Sequence, residues 1–294
     1  MEKLIIQFIK FVSVLFCYFG IILFINKIIF HNSEIPIGNV NTIIAGDSRL
    51  KISLNPQNFQ SAENISQPGE TYIVTYWKIK YLLQNIAVDT IIVGFSHLNI
   101  SAYNDIKFYD KKWTSEMFKR IYPIQRLCSL KNIKIDYPEF FYNYFQNMCL
   151  FPKRNHFPFI GKYSTRQGSD ITDSETAIDI HYFYNKENVG ISETAITFLD
   201  SIIYLNQKHD ITTILVGTPV HELYYSKIPK NVVERYNIEK MRLINKNIPV
   251  FDFTARFYEN NYYFNSDHLN ERGGEQFTKD LKEAMKKNLI LVSN

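Results

Sequence analysis

The apolar run Asn41-Thr42-Ile43-Ile44-Ala45 leads straight into Gly46-Asp47-Ser48. A polar cluster, Ser266-Asp267-His268-Leu269-Asn270, lies near the other end of the 294-residue chain. A hydroxyl nucleophile needs a base to take its proton and a third group to orient that base. Ser48 and His268 can serve each other this way only if the last segment folds back to the end of the first strand. That requirement favours a fold in which distant segments share one sheet.

The pattern between them fits such a fold. Residues 41–45, 90–94 and 212–217 are short, largely apolar and β-branched runs of the buried-strand type, and 62–66 and 249–253 read as two further short strands. Residues 71–84, 191–207 and 270–287 read as helices. Strands alternating with helices predict an α/β three-layer sandwich with a central parallel sheet, flavodoxin-like in outline. Residues 104–190 are rich in aromatics, Pro and Asn and have no clean period. They are expected to form an insertion of short helices and loops over the carboxyl edge, where open α/β sheets bind ligands.

The N-terminus predicts a transmembrane helix. Residues 11–26 are nearly all apolar or aromatic, with Lys10 and Lys27 at the flanks, and 4–9 and 28–30 extend the run. Between about 17 and 25 apolar residues span a bilayer as a helix. No small-residue cleavage site follows, since the next residues are His31-Asn32-Ser33-Glu34-Ile35-Pro36, so an uncleaved signal anchor is expected. Lys3, Lys10 and the α-amine outweigh Lys27, which places the N-terminus inside the cell and the main domain outside the cytoplasm. The expected plan is an anchor at 1–30, a linker at 31–40 and one domain at 41–294.

Composition narrows the function. Hydrophobic residues make up 46% and charged residues 21%, enough for a sizeable core and against global disorder. The net charge of +4 is scattered, and no basic stripe with spaced aromatics argues for nucleic acid. No phosphate-cradling glycine loop or metal-ligand spacing is present, so no cofactor and no metal are expected. Cys128 and Cys149 are either a disulfide pair or two free thiols; Cys17 lies in the apolar N-terminal segment.

Several residues are candidates for a site at the carboxyl edge. Ser48 follows a strand and a glycine, so its hydroxyl can project from a tight turn that Asp47 organises. Gly69, in Gln67-Pro68-Gly69-Glu70-Thr71, precedes a helix, where backbone amides can hold an oxyanion. Asn64 braces the same segment. Gly94-Phe95-Ser96-His97-Leu98-Asn99 follows the third strand. His268 has Asp267 directly before it and Asn265 three positions before. His221 follows the fourth strand, and His156 and His181 sit in the insertion without evident partners.

Gly46-Asp47-Ser48, then Asn64-Ile65-Ser66-Gln67-Pro68-Gly69, then Asp267-His268-Leu269-Asn270 with Gly273-Gly274, resemble in this order three blocks of the SGNH (GDSL-type) hydrolase family. The resemblance covers about residues 41–289. It implies Ser48 as nucleophile and His268 as general base. It also implies oxyanion donors from the amides of Ser48 and Gly69 and from Asn99, and substrate contacts from Ser96 and His97. Two positions depart from the family pattern. The third block lacks the family's Gly-x-Asn-Asp element, and Asn265 stands where the family's Asp-x-x-His has its aspartate. An amide there holds the imidazole without a charge, so Asn265→Asp is expected to speed the reaction and Asp267→Asn to change it little. Two functions are consistent with this reading. One is a membrane-anchored serine esterase or O-acyltransferase acting on an ester of a cell-envelope glycan or a similar small ester. The other is a non-catalytic member kept as a binding or assembly component, with envelope-assembly proteins as partners.

Overall fold

The structure, a computed structural model, describes residues 1–125, 133–153 and 157–292. In chain order its elements are α1 (Glu2–Asn32), β1 (Thr42–Ala45), α2 (Ser48–Ser53), β2 (Ala62–Asn64), α3 (Tyr72–Leu82), β3 (Thr90–Gly94), α4 (Tyr103–Ile106), α5 (Thr114–Ile121) and α6 (Tyr137–Met148). They continue as α7 (Ser174–Tyr182), β4 (Phe183–Tyr184), β5 (Glu187–Asn188), α8 (Glu193–Lys208), β6 (Thr212–Gly217), α9 (Glu222–Tyr225), α10 (Lys230–Asn245), β7 (Val250–Asp252), β8 (Tyr263–Asn265), β9 (His268–Leu269) and α11 (Glu271–Val292). Contacts divide the chain into two compact units. Met1–Pro36 groups with Phe108–Phe159, and Ile37–Lys107 groups with Ile160–Asn294.

The second unit holds a five-stranded sheet in the order β2-β1-β3-β6-β7, with every neighbouring pair parallel. Its strands are short because each is sandwiched between helices and needs little length to fill the core. Register puts Ile44 beside Ile92 and Ile92 beside Ile214. Successive side chains alternate across a sheet, so these three point one way. They meet Leu50 and Leu54, from α2 and its end, and Phe277 and Leu281 of α11. Ile43, Ile91 and Leu215 point the opposite way, toward the layer in which α3 packs on α8. This is the α/β three-layer sandwich expected from the sequence. The ladder also continues past β2, with Ile65 N donating to Ile44 O at 2.9 Å and Gln67 N to Gly46 O at 2.9 Å.

One large helix falls outside the expected set. α10 buries only Val232, Tyr236, Glu239 and Leu243 of its sixteen residues. Its apolar stripe is thin and interrupted by charge, so the helical period is faint in the sequence.

The first unit contains α1, α5 and α6. α1 is long and apolar enough to cross a membrane, and only Ile22 and Asn26 along it are buried. Cys17 is exposed and Cys149 buried. Cys128, and with it the expected pairing, lies outside the described residues, as does His156.

A buried ion pair fixes the segment that carries Gly69. Lys78 Nζ, on α3, lies 2.5 Å from Glu70 Oε2, with both side chains fully enclosed. Lys78 also donates to Ile65 O at 2.8 Å, and Thr75 Oγ1 donates to Glu70 Oε1 at 2.7 Å. Removing one partner strands a buried charge, which costs about 3–5 kcal/mol. Lys78→Met should therefore lower the denaturation midpoint strongly. The double variant Lys78→Met/Glu70→Gln should recover part of that loss in the same urea titration.

Candidate active site

The site begins where β1 runs out. At Gly46 a Cβ would stand 3.0 Å from Leu50 Cδ1 and 3.4 Å from the Gly94 nitrogen, so the turn closes this tightly only with glycine. Asp47 caps α2, accepting from Arg49 N at 2.9 Å. Asp47 and Arg49 are buried while Ser48 between them is half-buried. The turn thus offers its hydroxyl to the outside and turns its charges inward.

Ser48 Oγ lies 2.7 Å from His268 Nε2. His268 is carried by the β8–β9 hairpin, and its side chain is 18% exposed. Its other nitrogen, Nδ1, lies 2.9 Å from Asn265 Oδ1 along a hydrogen-bonding direction. Asn265 Nδ2 donates to Asp173 Oδ2 at 2.9 Å, and Ser266 N donates to Asp173 Oδ1 at 2.9 Å. A carboxylate only accepts, so Asp173 forces the amide nitrogen of Asn265 toward itself and the amide oxygen toward His268. Nδ1 must then carry the proton, which leaves Nε2 as the acceptor for the Ser48 hydroxyl.

Asp267 supplies the charge that Asn265 lacks. Its Oδ1 is 2.8 Å from His268 Nδ1, beside the N–H rather than on its axis. Its Oδ2 faces Arg49 Nη2 at 3.4 Å and His181 Nδ1 at 4.0 Å. Burial pushes this carboxyl up, but His268, His181 and Arg49 outweigh burial and hold it well below the usual carboxylate range. Arg49 is buried as well. It donates to Tyr224 Oη at 2.9 Å and to Ser96 Oγ at 3.2 Å. Burial lowers the Arg49 pKa, but Tyr224, Asp267 and Asp47 raise it further, so the guanidinium stays charged.

The remaining expected site residues divide into two sets. Gly69 has φ +64°, a left-handed conformation that favours glycine. Its carbonyl accepts from Lys107 Nζ at 3.1 Å, and its N–H has no acceptor among the described residues. Asn99 Nδ2 donates to Asp47 Oδ2 at 3.0 Å, and Asn99 Oδ1 accepts from Ser96 Oγ at 2.8 Å. One N–H of this amide is therefore spent on bracing the turn that carries Ser48. Ser96 and His97, expected to meet substrate, are enclosed at 3% and 2% exposure. Ser96 belongs to the Arg49 network, and His97 packs on the rings of Tyr236 and Tyr225 at 4.1 and 5.5 Å. The turn after β3 folds inward because Asn99 bonds Asp47.

Asn64 ties β2 to α2 by donating to the carbonyls of Leu50 and Leu54, at 2.9 and 2.8 Å. Asn270 caps α11 through Gly273 N at 3.0 Å. His221 is a capping residue as well, accepting from Leu223 N at 3.1 Å.

Asp173, Arg49 and Tyr224 did not stand out in the sequence, and His181 had no identifiable partner there. Asp173 precedes Ser-Glu-Thr and reads as an ordinary helix cap. Arg49 directly follows the nucleophile candidate, which is the one signal that could have marked it.

No family model and no curated protein matches the sequence. Among solved structures, the chain is similar to a GDSL-like lipase from Bacteroides thetaiotaomicron at 10% identity and a TM-score of 0.43, covering 90% of this chain and 99% of that one. It is similar also to the lipase/acylhydrolase from Enterococcus faecalis at 12% identity and a TM-score of 0.40, covering 85% and 97%. The chemistry rests on the geometry alone.

His97 and His181 are both pushed down to about 3, by burial first, with Arg49 adding and nearby carboxylates opposing. In the unfolded chain a histidine titrates near 6.5. Between about pH 3 and 6.5 the unfolded state therefore binds more protons, and stability falls as pH falls. Each such histidine contributes a slope of about 1.4 kcal/mol per pH unit. The urea midpoint should drop between pH 7.5 and 5, and His97→Phe should flatten that drop by about one proton.

Proposed function

We propose that this chain is a serine-dependent esterase or acyl-transferring enzyme, and the 2.7 Å contact between Ser48 Oγ and His268 Nε2 carries the proposal. His268 Nε2 takes the Ser48 proton as Oγ bonds to the ester carbonyl carbon. The carbonyl electrons move onto oxygen, where the N–H groups of Ser48 and Gly69 receive the charge. The imidazolium formed has Asp267 beside it and Asn265 in line with its Nδ1 proton. On collapse, the bond to the leaving alcohol breaks and His268 returns the proton to its oxygen. Water or a second hydroxyl then enters by the reverse steps and frees Ser48.

With α1 as a single-pass anchor and the sheet-bearing unit outside the cytoplasm, the proposed substrate is an ester on an envelope glycan or a similar molecule at that surface. The alternative, a non-catalytic assembly component, has two supports, an uncharged Asn265 and the altered third block at residues 94–99. The Asp267 carboxylate, 2.8 Å from His268 Nδ1, weakens the first of these.

Turnover of p-nitrophenyl acetate tests the proposal. Ser48→Ala should reduce it by about 10⁴-fold or more, and Asp267→Asn by about 10²- to 10⁴-fold. Asn265→Asp should lower rather than raise it, because the new carboxylate would face Asp173. That reverses both outcomes expected from the family pattern. Wild-type protein without esterase activity, or Ser48→Ala with full activity, would overturn the assignment.

A further inference from the structure

Tyr18, Ile22, Asn26 and Phe30 recur every four residues along α1 and so share one face. Tyr18 Oη donates to Leu150 O at 2.6 Å. The Phe19 ring meets Phe145 of α6 edge-on at 4.8 Å. Asn26 Nδ2 donates to Met148 O at 2.9 Å and Phe151 O at 3.0 Å, and Asn26 Oδ1 accepts from Lys153 N at 2.9 Å. Tyr18 and Asn26 are about 12 Å apart along the helix axis. The end of α6 and residues 149–153 are therefore fixed beside the C-terminal half of α1.

This contact sets a depth. Exposed apolar side chains on α1 run from Leu4 to Ile28, and those before Lys27 from Leu4 to Phe24. That stretch is about 30 Å of helix, the thickness of a hydrocarbon core. A bilayer centred on it includes the level of Tyr18 and Phe19, and with them Phe145 and Leu150. The neighbouring segment suits that environment. Residues 140–151 contain no charged side chain, and Phe141 and Phe151 are 54% and 65% exposed.

Its side-chain amides donate within the helix, which lowers the cost of placing them in hydrocarbon. Asn143 donates to Glu139 O at 2.9 Å, Asn147 donates to Asn143 O at 2.8 Å, and Gln146 donates to Tyr142 Oη at 2.5 Å. Asn26 serves the loop carbonyls in the same way. Just beyond Asn26, Lys27 and Lys153 share a cavity of about 360 Å³ with His31, Tyr122 and Tyr144. Cations and phenols of this kind belong at headgroup level.

We propose that the C-terminal part of α6 and residues 149–151 form a second membrane contact. This segment dips into the leaflet from which the C-terminal end of α1 emerges, and its exposed aromatic side takes lipid acyl chains. The inference rests on α1 being a membrane span.

The test uses the full chain in phosphatidylcholine vesicles, in a Trp77→Phe/Trp113→Phe background that carries one new tryptophan at a time. Acyl-chain-brominated lipid is the quencher. Phe16→Trp, on α1, reports the span itself, and Tyr204→Trp, on α8, is the solvent control. Phe151→Trp, and Phe141→Trp as its second variant, should emit to the blue and be quenched several-fold more than Tyr204→Trp. Quenching at Phe16→Trp with none at either α6-side variant overturns this inference and leaves the anchor intact. No quenching at Phe16→Trp overturns both. Blue-shifted but unquenched emission at 151 and 141 means that protein, such as a second copy of the chain, covers the patch, and it also overturns the proposal.

Discussion

A closed ring of polar contacts joins the two ends of the chain. Asp47 holds Asn99, Asn99 holds Ser96, Ser96 meets Arg49, Arg49 faces Asp267, Asp267 stands beside His268, and His268 meets Ser48, one residue from the start. Most of these groups are enclosed, so each has lost its water and depends on its neighbour in the ring. Arg49 balances two carboxylates, Asp47 on the Ser48 turn and Asp267 on the hairpin. That balance keeps Asp267 ionised in a place where an unpaired carboxylate would take up a proton. The Ser48 turn and the His268 hairpin are thereby held by one charge system rather than by packing alone.

The same ring explains an asparagine at a position where a carboxylate is the simpler choice. Asp173 already presents a negative charge to residue 265. A second carboxylate there would repel the first and lose the bond that orients the imidazole. The site divides the usual work of one aspartate between two residues. In the proposed reaction Asn265, aligned by Asp173, sets the tautomer of His268, and Asp267 supplies the field for the imidazolium.

Much of this was legible in the sequence, because local pattern determines it. The runs at 90–94 and 212–217 became β3 and β6 with the same bounds, since buried parallel strands are continuous apolar segments. Ser48 and His268 stood out because a glycine turn and a polar cluster flank them. Ser96 and His97 misled because polarity after a strand end usually marks a surface loop, whereas Asn99 pulls this loop inward. α10 was missed because its buried stripe is thin, and the partnership of Asp267 because side-chain direction within a hairpin leaves no periodic trace. His181 and Tyr224 reach the site only through tertiary folding, and no spacing rule relates them to His268.

The central claim is that Ser48 is a nucleophile activated by His268, and labelling with a serine-directed fluorophosphonate tests it most directly. Peptide mass spectrometry of the labelled protein should find a single adduct on Ser48, absent in Ser48→Ala and strongly slowed in His268→Ala. An unlabelled Ser48 in folded protein, or an adduct that forms as fast without His268, would contradict the account.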